Sequence, residues 1–325
     1  YRNKAQYPVS FDRQLKIGFF APRSHRVVDC ENCILQPPIF ADIVKIFRKF
    51  IIKNGITVYD SEKHTGLLRH IYLRLAEATG EVMVCAVING EDLPHKNELI
   101  KKLTEVSSVK SIVLNINRDR TNVILGKECV TVWGNDCIYD VLCGVKVRLS
   151  PLSFYQVNHD MAQQLYEKAA EYACLSGKET VLDMYCGTGT IGLSMAKKAK
   201  RIIGAEIVPE AVLDAKRNAL ENGIENAEFI CADAGEAAQE LSSRGIKPDV
   251  VLLDPPRKGC SEMLLAEIVK MSPERIVYVS CDPSTLARDC FRLKDLGYET
   301  KRLAAADLFP RTVHVESVAL LTKQK

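Results

Sequence analysis

The sequence predicts an α/β protein: a doubly wound, largely parallel sheet whose last strand runs antiparallel, preceded by a smaller α+β domain. Three observations carry this. From about residue 180 onward, short β-branched runs alternate with helical patterns, as parallel βαβ units require. The last two strand-like runs, 300–305 and 317–321, have no helix between them, so the final strand is expected to turn back antiparallel. Residues 1–150 lack this alternation and mix hairpin-like strands with isolated helices.

In chain order, YRNKAQYPVSF reads as the interior of a strand pattern. The first residue is Tyr1 rather than Met, so further chain is expected upstream. Pro37-Pro38 precede a helix whose apolar positions Ile43, Val44, Phe47, Phe50 and Ile51 lie close to helical spacing. Strand runs at 66–76 and 81–88 join through Thr79-Gly80 as a hairpin. A short helix near 96–106 and strands near 111–116, 128–133, 137–141 and 146–149 complete a domain over 1–150. Ser150-Pro151 marks the boundary, because proline ends a strand. The domain over 151–325 opens with a helix at about 158–174, capped by Asn158. Its strands are expected at 180–184, 201–206, 227–231, 250–253 and 275–280.

Composition limits the class. The chain has 325 residues, enough for two cores. No apolar run approaches the roughly 18–20 residues of a membrane span, and no signal peptide stands at the start, so no membrane association is expected. Most of the twelve cysteines sit in apolar runs, which suits the reducing cytoplasm rather than a disulfide scaffold. Net charge is only +3 but uneven. Residues 1–29 hold six basic side chains (Arg2, Lys4, Arg13, Lys16, Arg23, Arg26) against Asp12 and Asp29, a surplus of four. Such a strip is either a solvated face or a footprint for a phosphate backbone.

Chemistry concentrates at the predicted strand ends. VLDMYCGTGTIGL, residues 181–193, sets Asp183 and the glycines Gly187, Gly189 and Gly192 directly after a strand. The glycines permit a tight turn, close backbone approach to a ligand and close helix packing. Glu206 ends the next strand, where such folds place an acid on ribose hydroxyls, and Asp233 is expected to end the third, in reach of a base amine. The spacing is not the G-x-G-x-x-G of a pyrophosphate cradle. A turn that brings carboxylates to its ligand suits a cation, and S-adenosylmethionine, with a sulfonium and an amino group, fits better than a dinucleotide.

In LLDPPRKG, residues 252–259, Asp254 faces the same crevice and Pro255-Pro256 stiffens the loop. Amino-group methyltransferases carry an aromatic after such a pair of prolines. Here the residue is Arg257, which argues against chemistry on an exocyclic nitrogen. RIVYVSCDPSTLARD, residues 275–289, ends a buried strand in Ser280 and Cys281 before Pro283 opens a helix, which puts one thiol at the ligand-binding edge. Read by residue type, Glu316 and His314 are both possible proton acceptors near the last strand.

Five stretches together, FYQVN at 154–158, LDMYCGTGTIGL, LLDPPRKG, VSCDPSTLARD and FPRTVHVES at 309–317, resemble the class I RNA (uracil-5-)-methyltransferases, in particular the bacterial 23S rRNA 5-methyluridine enzymes. The resemblance spans 151–325 and continues more weakly through 1–150, which is similar to that family's central RNA-binding domain. It implies a Rossmann-like methyltransferase sheet, S-adenosylmethionine as methyl donor, and structured RNA with a flipped uridine, most closely 23S rRNA, as partner of a monomeric enzyme. It also implies Cys281 as nucleophile, Glu316 rather than His314 as general base, and cofactor contacts from Gln156, Tyr185, Gly187, Gly189, Glu206, Asp233 and Asp254. Cys186, inside the cofactor turn, reads as structural. Methylation of tRNA uridine-54 needs the same chemistry, and a noncatalytic RNA-binding protein is the reading from another class.

Many family members also hold a [4Fe-4S] cluster through three upstream cysteines and a fourth before an apolar-Leu-Gln/Pro stretch. Cys33, in CILQPP, matches that fourth position. The cluster is therefore expected only in a longer chain, and this one is expected to bind none that is complete.

Overall fold

The computed structural model of the chain describes residues 1–324. Contacts divide the chain into two compact units, Tyr1–Asp140 with Arg148–His159, and Val141–Val147 with Asp160–Lys325. Ser150-Pro151 thus lies inside a stretch that belongs with the first unit.

The first unit is built on a seven-stranded sheet of order β3-β2-β1-β4-β5-β6-β7. Its strands are β1 (Lys4–Asp12), β2 (Gln14–Phe20), β3 (Val27–Asp29), β4 (Leu68–Leu75), β5 (Val82–Ile88), β6 (Val109–Ile116) and β7 (Glu128–Gly134). β4 and β5 form the expected antiparallel hairpin, and β5 and β6 pair in parallel. Two helices, α1 (Pro38–Asn54) and α2 (Lys96–Leu103), contribute to one core. Phe40, Ile43, Phe47 and Ile51 of α1 pack there with Leu68, Ile71 and Leu73 of β4, as the helical spacing predicts.

β2 and β3 carry no clear period in the sequence. Pairing makes them strands. A side chain at Gly18 would put its Cβ 1.9 Å from the Val28 carbonyl oxygen, so only glycine lets β3 close on β2. A separate two-stranded sheet joins β8 (Ile138–Leu142) and β9 (Val145–Leu149).

After α3 (His159–Ala173), the second unit alternates β10 (Thr180–Met184), α4 (Thr190–Met195), β11 (Arg201–Glu206), α5 (Pro209–Glu221), β12 (Ala227–Cys231), α6 (Ala234–Ser243), β13 (Val250–Leu253), α7 (Glu262–Met271), β14 (Arg275–Ser280) and α8 (Pro283–Asp295). The chain then enters β15 (Tyr298–Ala306) and β16 (Glu316–Lys323). The sheet order is β12-β11-β10-β13-β14-β16-β15. Neighbours from β12 to β14 pair in parallel, while β16 slots antiparallel between β14 and β15. The antiparallel last strand therefore agrees with the sequence expectation. Its place inside the sheet rather than at the edge is a tertiary fact. Among the described residues no helix is long and apolar enough to cross a membrane.

One buried carboxylate fastens the β13–α7 loop to this framework. Asp289 of α8 is fully buried and accepts from the Cys260 amide (2.8 Å), the Tyr278 hydroxyl (2.7 Å) and Arg288 Nε (2.9 Å). Gly259 has φ +73°, and a Cβ there would lie 2.5 Å from Asp289 Oδ2. Asp289→Ala would leave the Cys260 amide and Tyr278 hydroxyl buried without a partner, at a cost on the order of 3 kcal/mol. The expected result is a lower urea midpoint with an unchanged denaturant slope.

Candidate active site

The second unit's strand order reverses between β10 and β13: from β10 the chain moves to β11 on one side and later to β13 on the other. Such a switch point leaves a crevice outside the carboxyl ends of the strands. Asp183 lies near the end of β10, Glu206 ends β11, Asp254 follows β13 and Cys281 follows β14. Glu316 begins β16, and because that strand runs the other way its first residue lies at this same edge.

The glycine-rich turn forms the cofactor side. Tyr185 has φ +65°, an uncommon conformation for a residue with a side chain, and Gly187 and Gly189 also have positive φ. Glu206 braces the turn from β11, its carboxylate accepting from the Gly187 amide (3.1 Å) and the Val208 amide (2.9 Å). Gly187 has open space where a Cβ would stand, whereas one at Gly192 would meet Asp183 Oδ2 at 2.7 Å. Two of the glycine roles are thus separate: open backbone at Gly187 and close packing at Gly192.

Asp183 is 1% exposed. Its Oδ2 accepts from the Gly192 amide (2.9 Å), while its Oδ1 is buried with no hydrogen-bond partner. Burial raises its pKa to about 7, and the neighbouring Glu206 adds to the rise against the Gly192 amide. An orphaned carboxylate oxygen beside an open glycine turn is a donor set for a cation, and S-adenosylmethionine, with its amino group and sulfonium, fits these residues. Asp233 does not end β12. It sits two residues beyond, exposed, as the N-cap of α6, where its Oδ1 accepts from the Gly235 amide (2.8 Å). The α6 cap takes this carboxylate out of the strand.

The reactive side is set by strand register. Ser280 of β14 pairs with Ser317 of β16 as the last pair of that ladder, so Cys281, one residue after it, and Glu316, one residue before, both lie at this edge, near enough for the Glu316 charge to act on the thiol. Cys281 is half-buried, on the turn before α8, whose N-cap Asp282 accepts from the Ser284 amide (2.9 Å). Burial raises the Cys281 thiol, and the Glu316 and Asp254 carboxylates raise it further, while the Arg257 guanidinium acts in the opposite sense. Glu316 is 5% exposed, and burial lifts it to about 6 against Arg257. Asp254 is lifted to about 8 by burial and then by Glu316 and Asp183. These acids are close enough to resist one another's ionisation. His314 lies outside β16, its ring set edge-on against Phe309.

Other sequence expectations fall elsewhere. Gln156 belongs to the first unit, where its backbone carbonyl accepts from Asn3 Nδ2 (3.0 Å). Cys30 and Cys33 are neighbours, yet no group of three or more His, Cys, Asp or Glu is placed to hold a metal ion among the described residues. Two thiols are half the donor set of a [4Fe-4S] cluster, so the residues present do not fit one. Cys186 is buried, its Sγ against Gly204, consistent with a packing role. The sequence reading missed Arg257 as a charge beside Cys281 and Glu316. It also missed Asp289 as the anchor of the loop behind Asp254. Arg257 was visible only as the absence of an aromatic, and Asp289 only as one acid in a helix.

Residues 98–324 match the family model described as tRNA (Uracil-5-)-methyltransferase. An uncharacterized RNA methyltransferase of Clostridium tetani is 48% identical over 324 residues, covering 99% of this chain and 70% of that protein. Another from Halalkalibacterium halodurans is also 48% identical, with the same coverage. The crystal structure of Pyrococcus abyssi tRNA (uracil-54, C5)-methyltransferase in complex with S-adenosyl-L-homocysteine superposes with a TM-score of 0.84 at 32% identity, covering 99% of this chain and 76% of that one. With a Rossmann-like methyltransferase sheet and this breadth of similarity, the chain belongs to the RNA (uracil-5-)-methyltransferase family.

Proposed function

We propose that the protein, as a monomer, methylates C5 of a flipped uridine in structured RNA, with 23S rRNA as the target and S-adenosylmethionine as the donor. The observation that supports the chemistry is a thiol and a buried carboxylate at adjacent ends of β14 and β16, at the edge that also holds the glycine turn. When bound, S-adenosylmethionine supplies an electrophilic methyl group on its sulfonium. Asp183, Tyr185, Gly187, Gly189, Glu206, Asp233 and Asp254 are the residues of the second unit proposed to hold it.

Uracil C5 is a poor carbon nucleophile. Cys281, as thiolate, adds to C6, and the electron pair of the C5–C6 double bond moves into an enolate that makes C5 nucleophilic. Once C5 carries the methyl group, Glu316 takes the C5 proton. The pair from that C–H bond re-forms C5=C6 and expels the Cys281 thiolate. A carboxylate with a pKa of about 6 is still ionised at neutral pH and is more basic than an ordinary one. Arg257 is the cation placed to favour the thiolate and the developing enolate. Both faces of the base are needed, so the uridine must leave its stack. The 23S rRNA target rests on the resemblance of the five motifs. The Pyrococcus abyssi neighbour favours a second reading, tRNA uridine-54. The paired Cys281 and Glu316 weigh against a noncatalytic RNA-binding protein.

RNA containing 5-fluorouridine should trap a covalent protein–RNA adduct in the presence of cofactor, because fluorine cannot leave as a proton does. The adduct, seen as a band stable in denaturing gels, should vanish in Cys281→Ala; persistence there would sink the mechanism. Glu316→Gln should accumulate the methylated adduct on ordinary RNA and slow its release by about 10²–10⁴-fold. For the unaltered protein, quenched time courses should show release rising with pH through about 6 and levelling above it. Glu316 is protonated and inactive as a base below that value and ionised above it. Mapping 5-methyluridine by mass spectrometry in rRNA and tRNA from a deletion strain decides the target: loss from 23S rRNA supports the proposal, and loss from tRNA position 54 supports the second reading.

A further inference from the structure

The first unit contains a second concave site, made entirely from its own residues. A cavity of about 440 Å³ is lined by, among others, Phe20, His25, Tyr59, Arg69, His70 and Asn122. Arg69 is 4% exposed and closes one wall. Its guanidinium donates to the carbonyls of Asn117 (2.7 Å), Asp119 (2.9 Å) and Thr121 (3.2 Å), and lies 4.3 Å over the Tyr59 ring. The Tyr59 hydroxyl is in turn 2.8 Å from His64 Nδ1. These contacts hold a preformed aromatic wall.

Beneath its walls lie polar atoms that the fold leaves unpaired. Arg69 Nε and both ring nitrogens of His70 are buried without a hydrogen-bond partner. A buried unsatisfied polar group is costly, and one imidazole with two such atoms is hard to account for as packing alone. Burial, reinforced by the Arg69 charge, lowers His70 to about 4. At neutral pH its ring is uncharged and offers one donor and one acceptor. Phe20, 43% exposed, meets His70 and His25 edge-on, with ring centroids 6.3 and 5.8 Å away.

Arg120, exposed on the loop after β6, lines the cavity, and the β2–β3 turn that contributes Ser24 and His25 to it also carries the exposed Arg23 and Arg26. Flat π faces and a basic rim meet two requirements of an unstacked nucleotide, stacking for the ring and positive charge for phosphate, and the His70 imidazole beneath the wall holds a donor and an acceptor of the kind a base edge uses. A purely apolar ligand would leave the basic rim unused.

We propose that this cavity captures a single unstacked nucleotide of the RNA substrate, other than the uridine that is methylated. The proposal rests on the RNA methyltransferase reading and adds a second base-recognition point to it. The cavity is of a size typical for small-ligand sites, and Phe20 is free to lie against a base.

The test uses the whole protein with the four ribonucleoside 5′-monophosphates and short single-stranded oligonucleotides of each base. Imidazole resonances of His25, His64 and His70, followed by NMR, should shift with one base in preference to the others. In methylation of total cellular RNA, Phe20→Ala and Arg120→Ala, both surface truncations, should raise the RNA KM about tenfold and leave the S-adenosylmethionine Kd unchanged. If no nucleotide moves these resonances, or if both variants methylate RNA with unaltered KM, the proposal is overturned while the uracil-5 chemistry stands. If the unaltered protein forms no adduct with 5-fluorouridine RNA, the functional reading has failed instead. The NMR titration then still decides whether the cavity binds nucleotides.

Discussion

The antiparallel pairing of β16 with β14 is the constraint on which the candidate site depends. A sheet made only of βαβ units returns every strand in the same direction, so each strand offers just its carboxyl end to the ligand edge. One reversed strand presents its first residue there instead. Glu316 therefore lies at the same edge as Cys281, each one residue beyond the last paired residues of β14 and β16, Ser280 and Ser317. Register in a sheet is strongly specified when both faces are buried, and Val318, Ala319 and Leu321 of β16 are all buried. The packing of these apolar side chains thus brings a carboxylate to the edge that carries a thiol.

That geometry has an electrostatic consequence. Asp183, Asp254 and Glu316 all have raised pKa values with burial as the main cause; Glu206 adds to the rise at Asp183, and Glu316 and Asp183 add to that at Asp254. Such a crevice is poorly matched to an anion and well matched to a ligand carrying positive charge, which would relieve desolvation and repulsion together. Arg257 is the local counterweight, acting on both Cys281 and Glu316. The proline pair before it stiffens the segment that carries it, and Asp289 anchors the same loop a few residues on, through the Cys260 amide. The position that a base-stacking aromatic occupies in amino-group methyltransferases is here a charge, which fits the proposed passage through an enolate better than attack by a nitrogen lone pair.

The two units rest on different physical devices. In the second, function follows from a repeated topology that delivers side chains to one edge. In the first, a mixed sheet covered by α1 and α2 leaves elsewhere a cavity with aromatic walls and unpaired polar atoms. An edge segment such as β2–β3, short and basic, has little propensity of its own, and its shape comes from pairing onto β1.

By itself the sequence determined the alternating α/β character of the second half, the glycine turn, the acids Glu206 and Asp254 at strand ends and a cysteine, Cys281, on the turn between β14 and α8. These are local signals: periodicity, glycine where backbone must bend, proline where a helix starts. Tertiary structure alone decided that Cys281 and Glu316 share one sheet edge, that Asp233 caps a helix rather than ending a strand, that Asp289 holds the Asp254 loop, and that Arg69 and His70 line a cavity. Each of these depends on which distant segments pair and in what register. Side chains far apart in the chain acquire their partners, burial and charge environment only when that pairing forms, and no local pattern records it.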